Sequence, residues 1–221
     1  MRGDTEGLLE WMDGQGVRWL VACGVVTAVG CGAYGTTIGL WRDGTQSIFT
    51  AIKFPLLVFL TCGGNALLNG ALGLVLGSGL GFRQTTAAIL MSFAVAALVL
   101  AAFAPLMLFL LWNTPPLVDG NSKVGHSVTL LAHVVVIAFA GFVGNRCLYS
   151  LLKSVCPSRA AARVVLLGWL AGNLLLGSQL SWVLRPFIGS PNLPVQFLRD
   201  DPMRGNFFEA VARAVQLLTS N

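Results

Sequence analysis

Five stretches of the sequence contain no charged residue, and each is long enough to cross a lipid bilayer. These charge-free windows lie between Arg18 and Arg42, Lys53 and Arg83, Arg83 and Asp119, Lys123 and Arg146, and Arg163 and Arg185. The hydrocarbon core of a bilayer is about 30 Å thick, which a helix of roughly 20 apolar residues spans. The sequence therefore predicts an all-α, polytopic membrane helix bundle with about five transmembrane helices.

The predicted helices follow the windows and divide the chain into three parts. They cover residues 17–41, 47–80, 85–112, 126–152 and 162–184. Proline cannot continue a helix, so Arg185 and Pro186 end the last one. We expect an N-terminal segment (1–16), a transmembrane bundle (17–185) and a C-terminal tail (186–221). In the tail, Asn206 and Glu209 have the spacing of a helix cap, which predicts a C-terminal amphipathic helix with its apolar face formed by Phe207, Val211, Val215 and Leu218.

The composition excludes several classes of protein. Of the 221 residues, 55% are hydrophobic and 10% are charged, whereas an average soluble domain has about 25% charged residues. The windows leave no room for a soluble catalytic domain, which usually needs at least ~50 residues. The net charge of +5 is spread along the chain, so we do not expect nucleic acid as a partner. The apolar windows make the lipid bilayer the expected partner.

Basic residues between the predicted helices indicate an orientation. The side of the membrane that holds the N-terminus would carry five of them, and the opposite side would carry three. The positive-inside rule then favours a cytoplasmic N-terminus and an external C-terminal tail. When the basic residues of the two terminal segments are also counted, each side carries seven. The predicted orientation therefore depends on the segments between the helices.

No motif of a known catalytic site is present in the sequence. We find no nucleophile elbow, HExxH motif, Walker loop or dinucleotide fingerprint. His126 and His133 are seven residues apart and face similarly, but two histidines without a carboxylate or a paired cysteine make a poor metal site. We therefore predict a non-enzymatic protein with no catalytic residue, no metal ligand and no cofactor.

Polar residues inside the windows are the first candidates for a functional site. Asn65 and Asn69 are four residues apart on one helix face, and Asn145, Asn173 and Gln179 lie in the fourth and fifth helices. Polar groups at membrane depth need partners or water. They either bond the helices together or line a polar track for an ion or small solute. The windows contain no acidic residue, which disfavours a transporter coupled to protons or sodium.

A second candidate is an interfacial charge cluster of Lys53, Arg185, Asp200 and Asp201. In a five-span topology all four lie near the same membrane face. The two bases could simply extend to the interface along their apolar stems. Alternatively, the tail folds back and pairs one of the aspartates with one of the bases. A vestibule lined by the bases would favour anions.

Glycines recur at four-residue spacing in three of the predicted helices. The sets are Gly35 and Gly39, then Gly73, Gly77 and Gly81, then Gly168 and Gly172. Small residues at this spacing let helix backbones approach closely in a membrane. They serve either packing within one chain or the seam of a homo-oligomer.

Several short segments resemble a known group of membrane proteins. They are 34–35 (YG), 51–55 (AIKFP), 182–191 (WVLRPFIGSP), 197–199 (FLR) and 205–209 (GNFFE). Together they resemble an uncharacterised family of bacterial multi-pass inner-membrane proteins that is loosely Yip1-like. The resemblance implies a bacterial inner membrane and a five-helix layout. It implies no activity and no functional residue, and nothing in the sequence suggests a role in vesicle trafficking.

Two functional hypotheses follow from the sequence. The first is a non-enzymatic, homo-oligomeric membrane protein that forms a channel or pore. The alternative is a structural or accessory subunit of a larger membrane complex, in which the polar residues only join helices. In that case a membrane-protein partner would bind through the C-terminal tail.

Overall fold

The described part of the chain contains five long helices, as expected from the charge-free windows. The computed structural model describes residues 16–75, 81–114, 122–189 and 193–209. The helices are α1 (Gly16–Leu40), α2 (Gly44–Val75), α3 (Phe82–Trp112), α4 (Ser122–Val155) and α5 (Arg159–Val183). All five are long and apolar enough to cross a membrane, and the described residues contain no strand. The predicted all-α bundle is confirmed, and the chain is a multi-pass integral membrane protein.

Local polar contacts explain where two of the helices begin. The Ser158 hydroxyl accepts a hydrogen bond from the Ala161 N–H at 3.1 Å, which caps the start of α5. The Asp43 carboxylate accepts one from the Thr45 N–H at 2.7 Å, just before α2. This backbone hydrogen bond lowers the pKa of Asp43, since it favours the ionised form. Pro55 lies inside α2 without ending it, because a membrane bundle tolerates proline where neighbouring groups satisfy the freed carbonyl.

The helices do not pack against one another evenly. The most extensive contacts join α1 to α2 and to α3, and α4 packs mainly on α3. The fifth helix packs mainly on α2, and its contact with α4 is much sparser. A cleft therefore separates α4 from α5 along one side of the bundle.

Glycines of the predicted seams pack helices of the same chain together. A Cβ at Gly35 would lie 2.7 Å from the Thr50 carbonyl oxygen, and a Cβ at Gly172 would lie 2.7 Å from Asn65 Oδ1. Both helix pairs can approach this closely only because these positions lack a side chain. This supports the intramolecular interpretation for these two sets, whereas Gly77 lies outside the described residues.

Two apolar cores fill the bundle, one towards each end. One surrounds Trp169 and Leu152 near the connection between α4 and α5, and the other surrounds Tyr34, Ile38 and Met107. The outward faces of all the helices expose large apolar side chains. Such surfaces are expected where a protein contacts lipid rather than water.

The described part of the tail folds back against the end of the bundle where α1 ends and α2 begins. Near its end, Asn206 Oδ1 accepts a hydrogen bond from the Glu209 N–H at 2.8 Å, and the Asn206 amide donates to Glu209 Oε1 at 2.6 Å. This confirms the predicted helix cap. The positions that would complete the amphipathic face, Val211, Val215 and Leu218, lie outside the described residues, and so does the N-terminal segment apart from Gly16.

Candidate functional site

Three polar side chains of α2 hold the segment that follows α5. Gln46, Thr50 and Lys53 are fully buried, and their spacing places them on one helix face. The Gln46 amide donates to the carbonyls of Pro186 (3.0 Å) and Phe187 (2.6 Å). The Thr50 hydroxyl lies 3.1 Å from the Phe187 carbonyl, and Lys53 Nζ donates to the Pro186 carbonyl at 2.9 Å. We call these three residues the loop clamp, because they fix the segment after α5 against α2.

Lys53 is a buried cation without a described carboxylate partner. Its ammonium lies 4.9 Å from the ring centre of Phe197 and 6.0 Å from that of Phe187, distances at which aromatic faces attract a cation. The nearby charge of Arg199 has the same sign. Burying a charge that lacks a counter-charge is costly. Among the described contacts, the Pro186 carbonyl and the two aromatic faces stabilise this charge.

Arg185 is the second base at this end of the bundle. Its guanidinium stacks on the Trp182 ring at 3.9 Å and donates to the carbonyls of Trp182 (2.7 Å) and Pro202 (3.2 Å). Partial burial, followed by the like charge of Arg199, lowers the pKa of Arg185. We refer to Lys53, Arg185 and Arg199 as the basic cluster.

The aspartates of the predicted interfacial charge cluster have other partners. Asp200 Oδ1 accepts a weak hydrogen bond from Gln196 at 3.4 Å, and Asp201 Oδ2 lies 3.9 Å from Arg204. Within the described ranges neither carboxylate pairs with Lys53 or Arg185. The tail does fold back, but its backbone carbonyls meet the bases. These carboxylates keep their hydration where they are, and the cost of removing it beside a buried base can exceed the gain from pairing.

A cavity of about 680 Å³ lies between α4, the end of α5 and the segment after it. Arg185 and Arg199 contribute to its wall from beyond the spanning segments, whereas Phe54, Leu57 and Ile137 line it within the spans. We call it the main cavity. It has basic side chains at its membrane-face end and an apolar interior.

Both histidines of α4 line the main cavity. The ring of His126 contacts that of Trp41, with 5.7 Å between centroids. Nδ1 of His133 lies 2.9 Å from the Tyr34 hydroxyl. Nδ1 of His126 and Nε2 of His133 are buried and form no hydrogen bond with any described residue. The predicted common face of the two histidines is thus the wall of a cavity.

The predicted polar track is only partly assembled. The Asn65 amide donates to Asn173 Oδ1, which joins α2 to α5, and the Asn69 amide lies 3.4 Å from Asn65 Oδ1 within α2. The Asn145 amide donates to the Gly141 carbonyl of its own helix at 2.8 Å. Gln179 lies apart from this group.

Gln179 contacts the tail instead of the other polar residues of the spans. Its Oε1 accepts a 3.4 Å hydrogen bond from the Phe207 N–H. It therefore helps to hold the beginning of the C-terminal helix near the end of α5.

A second cavity of about 570 Å³ continues from the main one. Asn145 and Asn173 belong to its otherwise mostly apolar wall. It shares Phe54, Leu57 and Ile137 with the main cavity. The two cavities therefore adjoin between α4 and α5, the helices whose mutual contact is sparse.

Sequence reasoning missed several residues that build this site. Gln46 and Thr50 were overlooked, although their spacing to Lys53 marks a polar stripe on α2. Tyr34 and Arg199 gave no such signal, because His133 lies 99 residues from Tyr34 in the chain and Lys53 lies far from Arg199.

Neither a known metal-site pattern nor a known relative explains the arrangement. Among the described residues no group of three or more His, Cys, Asp or Glu side chains could hold a metal ion. Comparisons with protein-family models, with curated proteins and with solved structures found no match.

Proposed function

We propose that this integral membrane protein is a non-enzymatic binding protein that takes an anionic amphiphile into the main cavity. The acidic head group would contact Arg185 and Arg199, and the apolar chains would fill the interior. The observation that carries this proposal is the position of these two arginines on an otherwise largely apolar cavity of about 680 Å³. That volume lies within the usual range for small-molecule sites, roughly 300–1,000 Å³.

The basic cluster supports an anionic head group. The positive charge of Arg199 repels those of Lys53 and Arg185. The carboxylates of Asp200 and Asp201 have other partners. An anion would relieve this repulsion. Guanidinium groups bind phosphate and carboxylate oxygens in a bidentate manner, so both chemistries suit the site.

The shape of the cavity supports an amphiphile over a small inorganic ion. Phe54, Leu57 and Ile137 continue the wall from the main cavity into the second one. Such a wall gains nothing from a hydrated ion but stabilises an acyl chain. Because α4 and α5 touch sparsely, the bilayer offers a lateral entry route.

The test is a lipid-binding measurement with purified protein in a non-ionic detergent. Native mass spectrometry would give apparent dissociation constants for phosphatidylglycerol, which is anionic, and phosphatidylcholine, which is zwitterionic. We expect the wild type to prefer the anionic lipid about tenfold, the worth of one or two charge-assisted hydrogen bonds. The double variant Arg185→Gln/Arg199→Gln should lose this preference.

The matched control is Arg83→Gln. Arg83 is exposed at the start of α3, at the opposite end of the bundle, so the variant removes one positive charge without touching the cavity. A preference that falls equally in the control and the double variant, or that is absent in the wild type, would refute the proposal.

A channel formed by a homo-oligomer is the second candidate function. The observation that favours it is the group of Asn65, Asn69 and Asn173 inside the bundle. The hydrogen bonds among these side chains favour a role in helix packing over a role in lining a pore. Ion flux into liposomes, compared with an Asn65→Leu/Asn69→Leu variant, tests it: a pore along this face loses flux in the variant.

An accessory subunit of a larger complex is the remaining alternative. Phe207 and Phe208 support it, because both are exposed at the start of the predicted amphipathic helix. Removing residues 206–221 should then abolish co-purification of a membrane-protein partner. In each case we place the protein in a bacterial inner membrane with a cytoplasmic N-terminus, as proposed from the sequence.

A further inference from the structure

Asn145 and Asn173 lie in the wall of the second cavity, which is otherwise mostly apolar. They come from α4 and α5, the two helices whose mutual contact is sparse, so each helix contributes one amide to the cavity. Both residues lie well inside the membrane-spanning segments. Polar groups at this depth need a polar partner or water, which makes the unused hydrogen-bonding capacity of these two amides informative.

Each of the two amides uses one of its polar atoms within the protein. The Nδ2 group of Asn145 donates to the Gly141 carbonyl at 2.8 Å, and Oδ1 of Asn173 accepts from the Asn65 amide. The other atoms, Asn145 Oδ1 and Asn173 Nδ2, have no hydrogen-bond partner among the described residues. The first is an acceptor and the second carries two N–H donors.

These two unpaired atoms remain accessible to a molecule in the second cavity. The side chains of Asn145 and Asn173 keep exposed surface, whereas Asn65 and Asn69 of α2 are completely buried. Neither atom belongs to the buried, unpaired polar atoms of the described chain, which include Asn69 Oδ1. A plain hydrocarbon chain in the cavity would exclude water from both atoms and leave them unpaired, which is unfavourable.

A hydroxyl group on the occupant would satisfy both amides. A hydroxyl donates one hydrogen bond and also accepts, so it can donate to Asn145 Oδ1 and accept from Asn173 Nδ2. A carbonyl group can accept from Asn173 but offers nothing to Asn145 Oδ1. A charged group would be costly at membrane depth, and the described wall of this cavity contains no charged side chain to pair with it.

The distance from the amides to the basic cluster places the hydroxyl within the apolar chain of the ligand. Asn173 precedes Arg185 by twelve residues, or about 18 Å along α5 at the usual helix rise. Phe54, Leu57 and Ile137 line both cavities, so an extended chain whose head group contacts Arg185 can reach the amides. The hydroxyl therefore belongs near the middle of a long acyl chain and not beside the head group.

We infer that the second cavity selects an acyl chain that carries a mid-chain hydroxyl group, which Asn145 and Asn173 recognise. This inference rests on the proposed binding of an anionic amphiphile and adds the chemistry of its chain. The head group stays with Arg185 and Arg199, and the hydroxyl bridges α4 and α5 where their mutual contact is sparse.

The experiment compares two pairs of ligands whose chains differ only by a mid-chain hydroxyl. One pair is ricinoleic acid and oleic acid, and the other is the phosphatidylglycerols that carry these two chains. Native mass spectrometry of the full chain in a non-ionic detergent gives apparent dissociation constants. We expect the wild type to bind the hydroxylated member about tenfold more tightly, as two hydrogen bonds would give.

The two pairs also identify the carrier of the chain. A hydroxyl preference in the acids alone assigns the cavity to a free fatty acid, and a preference in the phosphatidylglycerols alone assigns it to a phospholipid. Equal affinities within both pairs, or tighter binding of the chains without the hydroxyl, would show that water satisfies the amides and would overturn the inference.

Substitutions of the two asparagines test their roles directly. Asn145→Leu should abolish the preference, because the hydroxyl loses its acceptor and enters an apolar environment. Asn173→Leu should abolish it by removing the donor. An unchanged preference in both variants overturns the inference. If a variant does not keep its helical circular dichroism, the wild-type comparison still decides.

The matched control is Asn113→Leu. The Asn113 amide, like that of Asn145, donates to a carbonyl of its own helix, that of Phe109 at 2.7 Å. Asn113 is exposed and belongs to the wall of neither cavity, so this variant should keep the tenfold preference. An equal loss in Asn113→Leu and Asn145→Leu would contradict recognition in the cavity.

Failure of the inference is distinguishable from failure of the proposed function, because both members of each pair are anions. Arg185→Gln/Arg199→Gln should weaken binding of both members equally and leave their ratio unchanged. A wild-type ratio of one in both pairs, with the preference for anionic lipid intact, overturns the role of the asparagines alone. Absence of the preference for anionic lipid overturns the proposed function and the inference together.

Discussion

Lys53 donates a 2.9 Å hydrogen bond to the carbonyl of Pro186, which lies 133 residues further along the chain. The same carbonyl also accepts from Gln46 at 3.0 Å. The beginning of α2 is thereby joined to the segment after α5, and this contact places Arg185 and Arg199 on the main cavity. Four predictions test this arrangement and the packing around it.

The first prediction concerns the redundancy of the loop clamp. In Lys53→Met the Pro186 carbonyl still accepts a hydrogen bond from Gln46, and in Gln46→Leu it still accepts one from Lys53. Each single change should therefore lower the free energy of unfolding only slightly. The double variant leaves that carbonyl without a clamp donor and should cost about 1–3 kcal/mol beyond the sum of the singles. Denaturation followed by circular dichroism in mixed micelles measures this, and additive effects would contradict it.

The second prediction compares two glycines of α4. A Cβ at Gly144 would lie 2.7 Å from the Ser92 carbonyl oxygen of α3, whereas one at Gly141 meets nothing within 4 Å. Gly144→Ala should therefore destabilise the bundle by about 1–3 kcal/mol through overpacking. Gly141→Ala should be neutral or stabilise by up to ~1 kcal/mol, since alanine is the better helix former. Thermal unfolding in detergent distinguishes the two, and equal midpoints would count against the α3–α4 contact.

The third prediction addresses the asparagines between α2 and α5. Asn173→Leu removes the acceptor of the Asn65 amide and should cost between about 0.6 and 1.7 kcal/mol, the average and the maximum measured for hydrogen bonds between membrane helices. Asn145→Leu is the control, because among the described residues that amide bonds its own helix alone, and it should change stability by less than ~0.5 kcal/mol. The same unfolding measurement applies. Comparable losses in the two variants would show that the hydrogen bond between helices is not the source.

The fourth prediction concerns topology. Arg159 and Asp200 are both exposed and are separated by α5, so five spans place them on opposite faces of the membrane. In variants that lack the native cysteines, Asp200→Cys should react with an impermeant maleimide in intact cells. Arg159→Cys should react only after permeabilisation. The reverse pattern would invert the proposed orientation, and labelling of both from one side would contradict the number of spans.

The helices were predictable from the sequence because each depends on a local property. The five helices begin and end within about five residues of their predicted bounds, and Asn206 and Glu209 form the expected cap. Hydropathy and capping act over one to a few turns, so they can be read from neighbouring positions. Local sequence does not decide every feature: α2 continues through Pro55, since the surrounding bundle determines whether a proline interrupts a membrane helix.

The candidate site was predictable only in fragments. Lys53 and Arg185 were recognised as bases near one membrane face, but their partners are backbone carbonyls and not the carboxylates of Asp200 and Asp201. Sequence spacing indicates which side chains share a helix face. It does not reveal which loop carbonyl approaches them.

The sequence by itself determined that this chain crosses a membrane as a helical bundle, because long charge-free segments are unstable in water and stable in lipid. Only the tertiary structure decided that Tyr34 meets His133 and that the tail brings Arg199 to Lys53 and Arg185. These contacts depend on the rotation and packing of helices distant in sequence. Close approach at positions such as Gly35 and Gly172, and the sparse contact between α4 and α5, set that packing and leave the cavity open.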